Sequence, residues 1–303
     1  MKKFVIIDGN AIVHRSFHAV PKTLRAPDGT LTNAVFGFTS ILFGILENEK
    51  PDFLAVAWDM KGPTFRHLEF KEYKGTRAKT DDSLIAQFPL VYGLLDLMRV
   101  PCFKKAGLEA DDFLGIVAEA LPKDIKLVIV TGDQDALQLV SENVEVVTPI
   151  SGYTKVKRYD RAAVYEKLGV WPEQVPDYKG LRGDTSDNIP GVRGIGEKTA
   201  ASLLADFVSL ERIYSEIEKV QPERIRELLR TNAENAVMSK RIATILRTDE
   251  CFDLRLAECG VNGFDLAALN GVFERFAFRS LIPRLEKIKK TWAKPVDNQT
   301  CLF

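Results

Sequence analysis

Four short apolar runs punctuate the first half of the chain: FVIID at 4–8, DFLAVAWD at 52–59, KLVIVTGD at 126–133 and VEVVTP at 144–149. They are rich in β-branched residues and lack the strict alternation of a half-exposed strand, so they read as strands buried on both faces of a parallel sheet. Between them apolar residues return at helical spacing, across Ala11–His18, Ala34–Glu47 and Asp111–Ala120. Strands separated by helices predict an α/β fold with a mainly parallel central sheet flanked by helices. From about Val164 onward the pattern is mostly helical, broken by loops marked with Pro and Gly. A softer boundary falls at 170–176, which gives an α/β core over 1–172, a helical region over 173–290 and a tail over 291–303 with neither period. No long internal repeat interrupts this plan.

The polar positions that interrupt the pattern are unusual. Eight aspartates and one glutamate sit in short acidic signatures: Asp8 in FVIIDGN, Asp59 in FLAVAWD, Glu109, Asp111 and Asp112 in LEADDF, Asp133 and Asp135 in TGDQD, and Asp184 and Asp187 in RGDTSDN. In open α/β sheets ligands bind beyond the carboxyl ends of the strands, and Asp8, Asp59 and Asp133 fall there. Any one of these acids reads equally well as a helix cap or turn residue, Asp112 and Asp187 above all. As a set they do not, because strand-end acids contribute nothing to a core. Carboxylates gathered this closely repel one another and lose hydration, so they call for divalent cations. Oxygen-only ligands suit magnesium, and no His–Cys cluster competes for a softer metal. Two ions about 4 Å apart would activate water, neutralise phosphate oxygens and stabilise a leaving alkoxide, the needs of phosphodiester hydrolysis.

Composition narrows the picture without deciding it. With 42 basic and 42 acidic residues the net charge is zero, so any affinity for a polyanion must come from local clusters. Four scattered cysteines (Cys102, Cys251, Cys259, Cys301) form no C-x-x-C pair, which argues against a disulfide framework or zinc site and suits a reducing cytoplasm. The start, MKKFVIID, reaches an aspartate after four apolar residues, too soon for a secretory signal, and no run approaches the length of a membrane span. His14 and His18 lie four apart on a predicted helix, but no third ligand accompanies them, and packing is the expected role. No Ser–His–Asp arrangement suggests a covalent intermediate.

Two further segments point to a nucleic acid. In GVRGIGEKT, Glu197 stands where a phosphate-binding P-loop needs lysine, and no strand precedes the glycines as a dinucleotide fold requires. The segment reads instead as a helical hairpin, or as a plain helix–turn–helix connection. As a hairpin, Gly191, Gly194 and Gly196 permit a tight turn whose amides bind phosphate, with Lys198 and Thr199 adding contacts. In KGPTFRHLEFKEYKGTRAK (61–79) cations alternate with aromatics, which suits a single strand through phosphate contact and stacking, or a solvated helix face with apolar anchors.

Taken in order, IDGN, VAWD, EADD, TGDQD and GDTSDNIPGVRGIGEKTA resemble the signatures of the bacterial 5′ nuclease (flap endonuclease) family, over roughly residues 3–290. The closest likeness is to the 5′–3′ exonuclease domain at the front of bacterial DNA polymerase I and its stand-alone relatives. The resemblance implies a PIN-like core and a helix–hairpin–helix near 183–205 that binds duplex DNA and holds a potassium ion. A helical arch near 60–90 would gate the 5′ end. All nine acids would be metal-site residues: Asp8, Asp59, Glu109, Asp111 and Asp112 around one ion, Asp133, Asp135, Asp184 and Asp187 around the second, with magnesium or manganese bound. Arg66, Lys74 and Arg77 would steer phosphates in the arch, Lys74 at the catalytic centre, with Tyr73 stacking and Arg15 a further DNA contact. One departure is visible: Gln134 replaces the lysine usual between the paired acids. The implied activity is cleavage of branched, nicked or 5′-flap DNA, and of RNA primer strands in hybrid, during replication and repair. The terminal pentapeptide, with Gln299, Leu302 and Phe303, resembles the Q-x-x-L-F motif that docks on the sliding clamp, and it suggests a stand-alone nuclease, expected to be monomeric.

Overall fold

The computed structural model describes residues 1–250 and 252–292. Its centre is a six-stranded sheet: β1 (Lys2–Asp8), β2 (Phe53–Ala57), β3 (Cys102–Phe103), β4 (Ile125–Val130), β5 (Val144–Ser151) and β6 (Lys155–Tyr159), in the order β3-β2-β1-β4-β5-β6. All neighbours pair in parallel except β5 and β6, which form an antiparallel hairpin. The four predicted strands are present. The two unforeseen ones carry weak signals: β3 is two residues long, and KVKRY alternates with charge as an exposed edge strand does.

Alternation along β1 divides the apolar interior in two. Phe4 and Ile6 face a core with helix Ala110–Ala120, helix Val175–Arg182 and helix Glu197–Phe207. Val5 and Ile7 face the opposite core, built with helices Gly9–Ala19, Asn33–Glu49, Phe88–Leu97 and Leu266–Arg275. The first core runs without a break across the stretch 170–176, from Val164 through Val170 and Val175 to Tyr178. Helix Ile282–Trp292 returns to the second core, and Arg284 ties it to Glu47 at 3.0 Å.

Parallel register brings the carboxyl ends of β1, β2 and β4 to one edge, with Asp8 opposite Ala57. Asp59 follows β2 and Asp133 follows β4 by a few residues, so acids separated by 125 positions or fewer in sequence share that edge. Gly9 makes the approach of β1 and β2 possible: a Cβ there would lie 2.7 Å from the Trp58 ring, closer than carbon atoms tolerate.

Candidate metal centre

Asp8 ends β1 and caps helix Gly9–Ala19, accepting the Ala11 amide at 3.0 Å, while Thr131 donates to its other oxygen at 2.7 Å. Burial, partly opposed by those two bonds, pushes its carboxyl up to about 7, with the charges of Asp59 and Asp133 adding to the rise. Asp59 accepts the Ala110 amide at 2.7 Å, at the start of helix Ala110–Ala120. That helix end also carries Asp111, whose Oδ1 is buried without a hydrogen-bond partner. Burial raises the Asp111 carboxyl well above the ordinary range, and Asp133 and Asp8 raise it further. A helix N-terminus favours negative charge, by about 0.3–1 kcal/mol per group, which is too little to offset desolvation and mutual repulsion here.

Glu109 is held differently. Thr64 donates to one oxygen at 3.1 Å, and Tyr73 and Lys74 donate to the other at 3.1 and 2.9 Å. Burial pushes its carboxyl up, but Lys74 and Arg66 outweigh burial and hold it below the usual value.

The second group lies across a cleft of about 910 Å³ lined by Asp133, Gln134, Asp135, Lys179, Asp184 and Lys198 among others. The Asp133 carboxylate accepts the Asp135 amide at 2.9 Å. Asp184 follows helix Val175–Arg182 and turns the chain by accepting the amide and hydroxyl of Ser186 at 2.9 and 2.6 Å. Lys179, on that helix, donates to Asp135 and also to Asp184 at 2.6 Å. Although burial opposes it, the Lys179 charge takes the Asp184 carboxyl down to about 2. Asp187 is buried and pairs with Arg77, and Tyr73 donates to it at 3.3 Å.

Several expected roles change on this geometry. Asp112 is fully buried, and its two oxygens accept both Arg66 nitrogens, at 2.9 and 2.7 Å, and the amides of Glu109 and Leu246. With four donors it has no lone pair directed at an ion, so it positions the helix start. Arg66, only 3% exposed, also donates to the carbonyls of Ile242 and Thr244. It is an internal strut and does not face a phosphate. Tyr73 is 5% exposed, with its ring edge-on to His67, so it offers no face for a base. Arg15 donates to the Ile150 carbonyl at 2.7 Å, and the Gly191 amide is taken by Ser239 at 3.0 Å. Arg77 lines the cleft, Lys74 is half-buried against Glu109, and Gly194, Gly196 and Lys198 are exposed. Residues 184–189 close a tight loop between helices Val175–Arg182 and Glu197–Phe207, with Gly183 and Gly191 at φ of 74° and 61° in near contact. The tail residues Gln299, Leu302 and Phe303 lie outside the described residues.

Lys179 lies outside the acidic motifs, and the bond from Thr131, inside TGDQD, to Asp8 was not legible in them. The available signal was a lysine on a helix whose other central positions, Val175, Tyr178 and Leu181, are apolar or aromatic and buried. Such a lysine requires a partner.

A family model described as 5′-3′ exonuclease, N-terminal resolvase-like domain, matches residues 3–169, more than half the chain. The chain belongs to the 5′–3′ exonuclease family. A second model, 5′-3′ exonuclease, C-terminal SAM fold, matches residues 170–267 of this exonuclease-family chain. DNA polymerase I of Bacillus caldotenax is 40% identical over 97% of the chain and 34% of the relative, and that of Bacillus subtilis 41% identical over 94% and 32%. The chain thus spans about a third of the length of the curated relatives it matches. Among solved structures the fold is shared with the T5 D15 protein co-crystallised with metal ions (TM-score 0.67, 19% identity, 96% of this chain and 98% of that one). It is shared too with flap endonuclease-1 from Methanococcus jannaschii (TM-score 0.59, 18% identity, 95% and 92%).

The donor set of this exonuclease-family site fits a hard divalent ion. Asp111 has a buried oxygen without a partner, and Asp8 is forced toward protonation, both of which a cation would relieve. Among the described residues no three His, Cys, Asp or Glu side chains converge closely enough as placed to encircle one. Lys74, Arg77 and Lys179 stand among the carboxylates instead.

Two outcomes follow from these contacts. Arg66→Ala should destabilise the protein by about 3–5 kcal/mol in urea unfolding, because Asp112 would be left buried and unpaired. An exposed phosphate-steering arginine would cost under about 1 kcal/mol. Asp8 has a folded pKa of about 7 against an ordinary 3.8, so the native state holds its proton more tightly. Its contribution to the stability of chelator-treated protein therefore falls as pH climbs from about 4 to about 7 and then levels. Asp8→Asn should remove that fall; pH profiles parallel to wild type would show that Asp8 is not the strained acid.

Proposed function

We propose that this chain is a divalent-metal-dependent 5′–3′ exonuclease and structure-specific 5′ flap endonuclease that hydrolyses DNA phosphodiesters. The observation that carries this reading is the under-neutralised group Asp8, Asp59, Asp111 and Asp133 at the carboxyl edge of the sheet, of which Asp133 lines a cleft bordered by Arg77 and Lys198. Support comes from the family and from relatives: a T5 D15 complex with DNA and metal ions, and the catalytic core of Rad2 with DNA substrate.

In this reading Asp8, Asp59, Glu109 and Asp111 hold one magnesium ion, and Asp133, Asp135, Asp184 and Asp187 the second, with manganese an alternative. The ions would activate water and offset charge on the phosphate and leaving oxygen. The chain's own side chains do the rest. Thr131 fixes one Asp8 oxygen, and the Ala110 amide fixes Asp59. Lys74 and Arg77 each hold one acid and present positive charge to a phosphate entering the cleft. Gly194, Gly196, Lys198 and Thr199 form a duplex-binding helix–hairpin–helix with a potassium site, in a helical region beginning near residue 173. The basic segment at 60–90 guides the 5′ strand.

Flap, nicked and primer-bearing hybrid substrates fit this arrangement, in a monomeric cytoplasmic enzyme of primer and flap removal. No helix among the described residues is long and apolar enough to cross a membrane.

Labelled 5′-flap DNA, duplex RNA and single-stranded RNA, each with and without magnesium, test the reading. The flap should be cut only with metal. Cleavage of RNA alone would indicate a ribonuclease, and binding without cleavage a structural DNA-binding protein. Asp133→Asn should lower flap cleavage by more than about 100-fold while binding is retained.

The pentapeptide with Gln299, Leu302 and Phe303 is proposed to dock on a sliding clamp. Removing residues 299–303 should abolish clamp pull-down and leave flap cleavage intact; undiminished pull-down would refute the docking.

A further inference from the structure

Several cations border the cleft, and their partners differ. Arg77 pairs with Asp187, and Arg182 pairs with Glu197 at 3.2 Å. Lys179 alone among these three holds two carboxylates at once, Asp135 and Asp184, which come from different parts of the chain. The residue is 6% exposed, and its ammonium reaches one oxygen of each carboxylate, all three residues lining the cleft. The position is the one that a single cation shared by Asp135 and Asp184 must take. Two cations do not share it: at a few ångströms their repulsion matches the attraction that each gains from a carboxylate.

We propose that Lys179 is a built-in rival of the divalent ion at the distal acidic group. In the metal-free protein its ammonium holds Asp135 and Asp184 together, and it withdraws when an ion takes both. The inference rests on the proposed reading of Asp133, Asp135 and Asp184 as metal ligands. Lysine suits such a role because its charge is a compact point on a flexible four-carbon stem, so it can leave without disturbing its helix. The helix itself stays anchored, since Asp177 pairs with Lys240 at 2.6 Å. In the proximal group Lys74 pairs with Glu109 alone, and Asp111 keeps a buried oxygen without a partner. The distal site is therefore the weaker of the two. A phosphate arriving in the cleft gives the displaced ammonium a new anion, so nucleic acid tightens the distal ion.

The test is manganese binding to the full chain without DNA, followed by the electron paramagnetic resonance of free Mn²⁺. Wild type should show a tighter and a weaker class of site. Lys179→Met keeps the stem and removes the charge, and should tighten the weaker class by roughly tenfold or more, the effect of one neighbouring charge on a carboxylate. The tighter class should be unchanged, and Lys179→Arg should leave the weaker class weak. Unaltered or weakened affinity of that class in Lys179→Met overturns the inference while leaving the metal centre intact. Absence of any Mn²⁺ binding by wild type overturns the metal reading itself, and the inference with it. If Lys179→Met does not fold, the wild-type lysine ammonium ¹⁵N resonances decide. The Lys179 signal should shift at the magnesium concentration of the weaker step, and a signal unmoved through that step overturns the inference.

Discussion

The structure is organised around one electrostatic constraint. A parallel sheet delivers the carboxyl ends of β1, β2 and β4 to one edge, and this sequence places an acid at each. Repulsion and desolvation together oppose folding of that edge, as the raised carboxyls of Asp8 and Asp111 show. The rest of the molecule is arranged to hold the acids there nonetheless. Amides of Ala11 and Ala110 grip Asp8 and Asp59, and buried guanidinium and ammonium groups neutralise Asp112, Glu109 and Asp184.

The two acidic groups are supported by different materials. Asp8, Asp59 and Asp111 stand on a strand end, the residue after β2 turns, and a helix start, all fixed by the first core and the sheet ladder. Asp184 and Asp187 stand on a short loop between two helices. The first group is thus rigid by hydrogen-bonded ladder, and the second is placed by side-chain packing.

Much of this was readable from residue order. The apolar runs located four strands, and acids at their ends located the site, because parallel sheets concentrate ligands at one edge. Side-chain direction was not readable. Arg66 and Tyr73 lie in a segment whose composition suits an exposed strand-binding surface, yet both point inward, since Asp112 and Glu109 were left needing partners in the core. Asp112 was readable as a helix-start residue as well as a metal ligand, and the pairing with Arg66, which leaves Asp111 alone with an unpartnered oxygen, decides for the first. Lys179 is the opposite case: an ordinary lysine by composition that proves to bind two acids distant from each other in sequence. Pairings across the fold leave no trace in local period.

Helix Ala233–Ala243 carries a consequence that reaches beyond packing. Arg66 donates to its Ile242 carbonyl, and Glu69 pairs with Arg241 at 2.7 Å, so the helix anchors the root of the basic segment. The same helix lies against Gly180, where a Cβ would stand 2.9 Å from that of Lys240, and so it also seats the helix carrying Lys179. The basic segment and the helix that precedes the loop-borne acids therefore share one chassis. A substitution in helix Ala233–Ala243 would disturb two supports at once, the root of the 61–79 segment and the helix that carries Lys179, although the helix itself contains none of the acids.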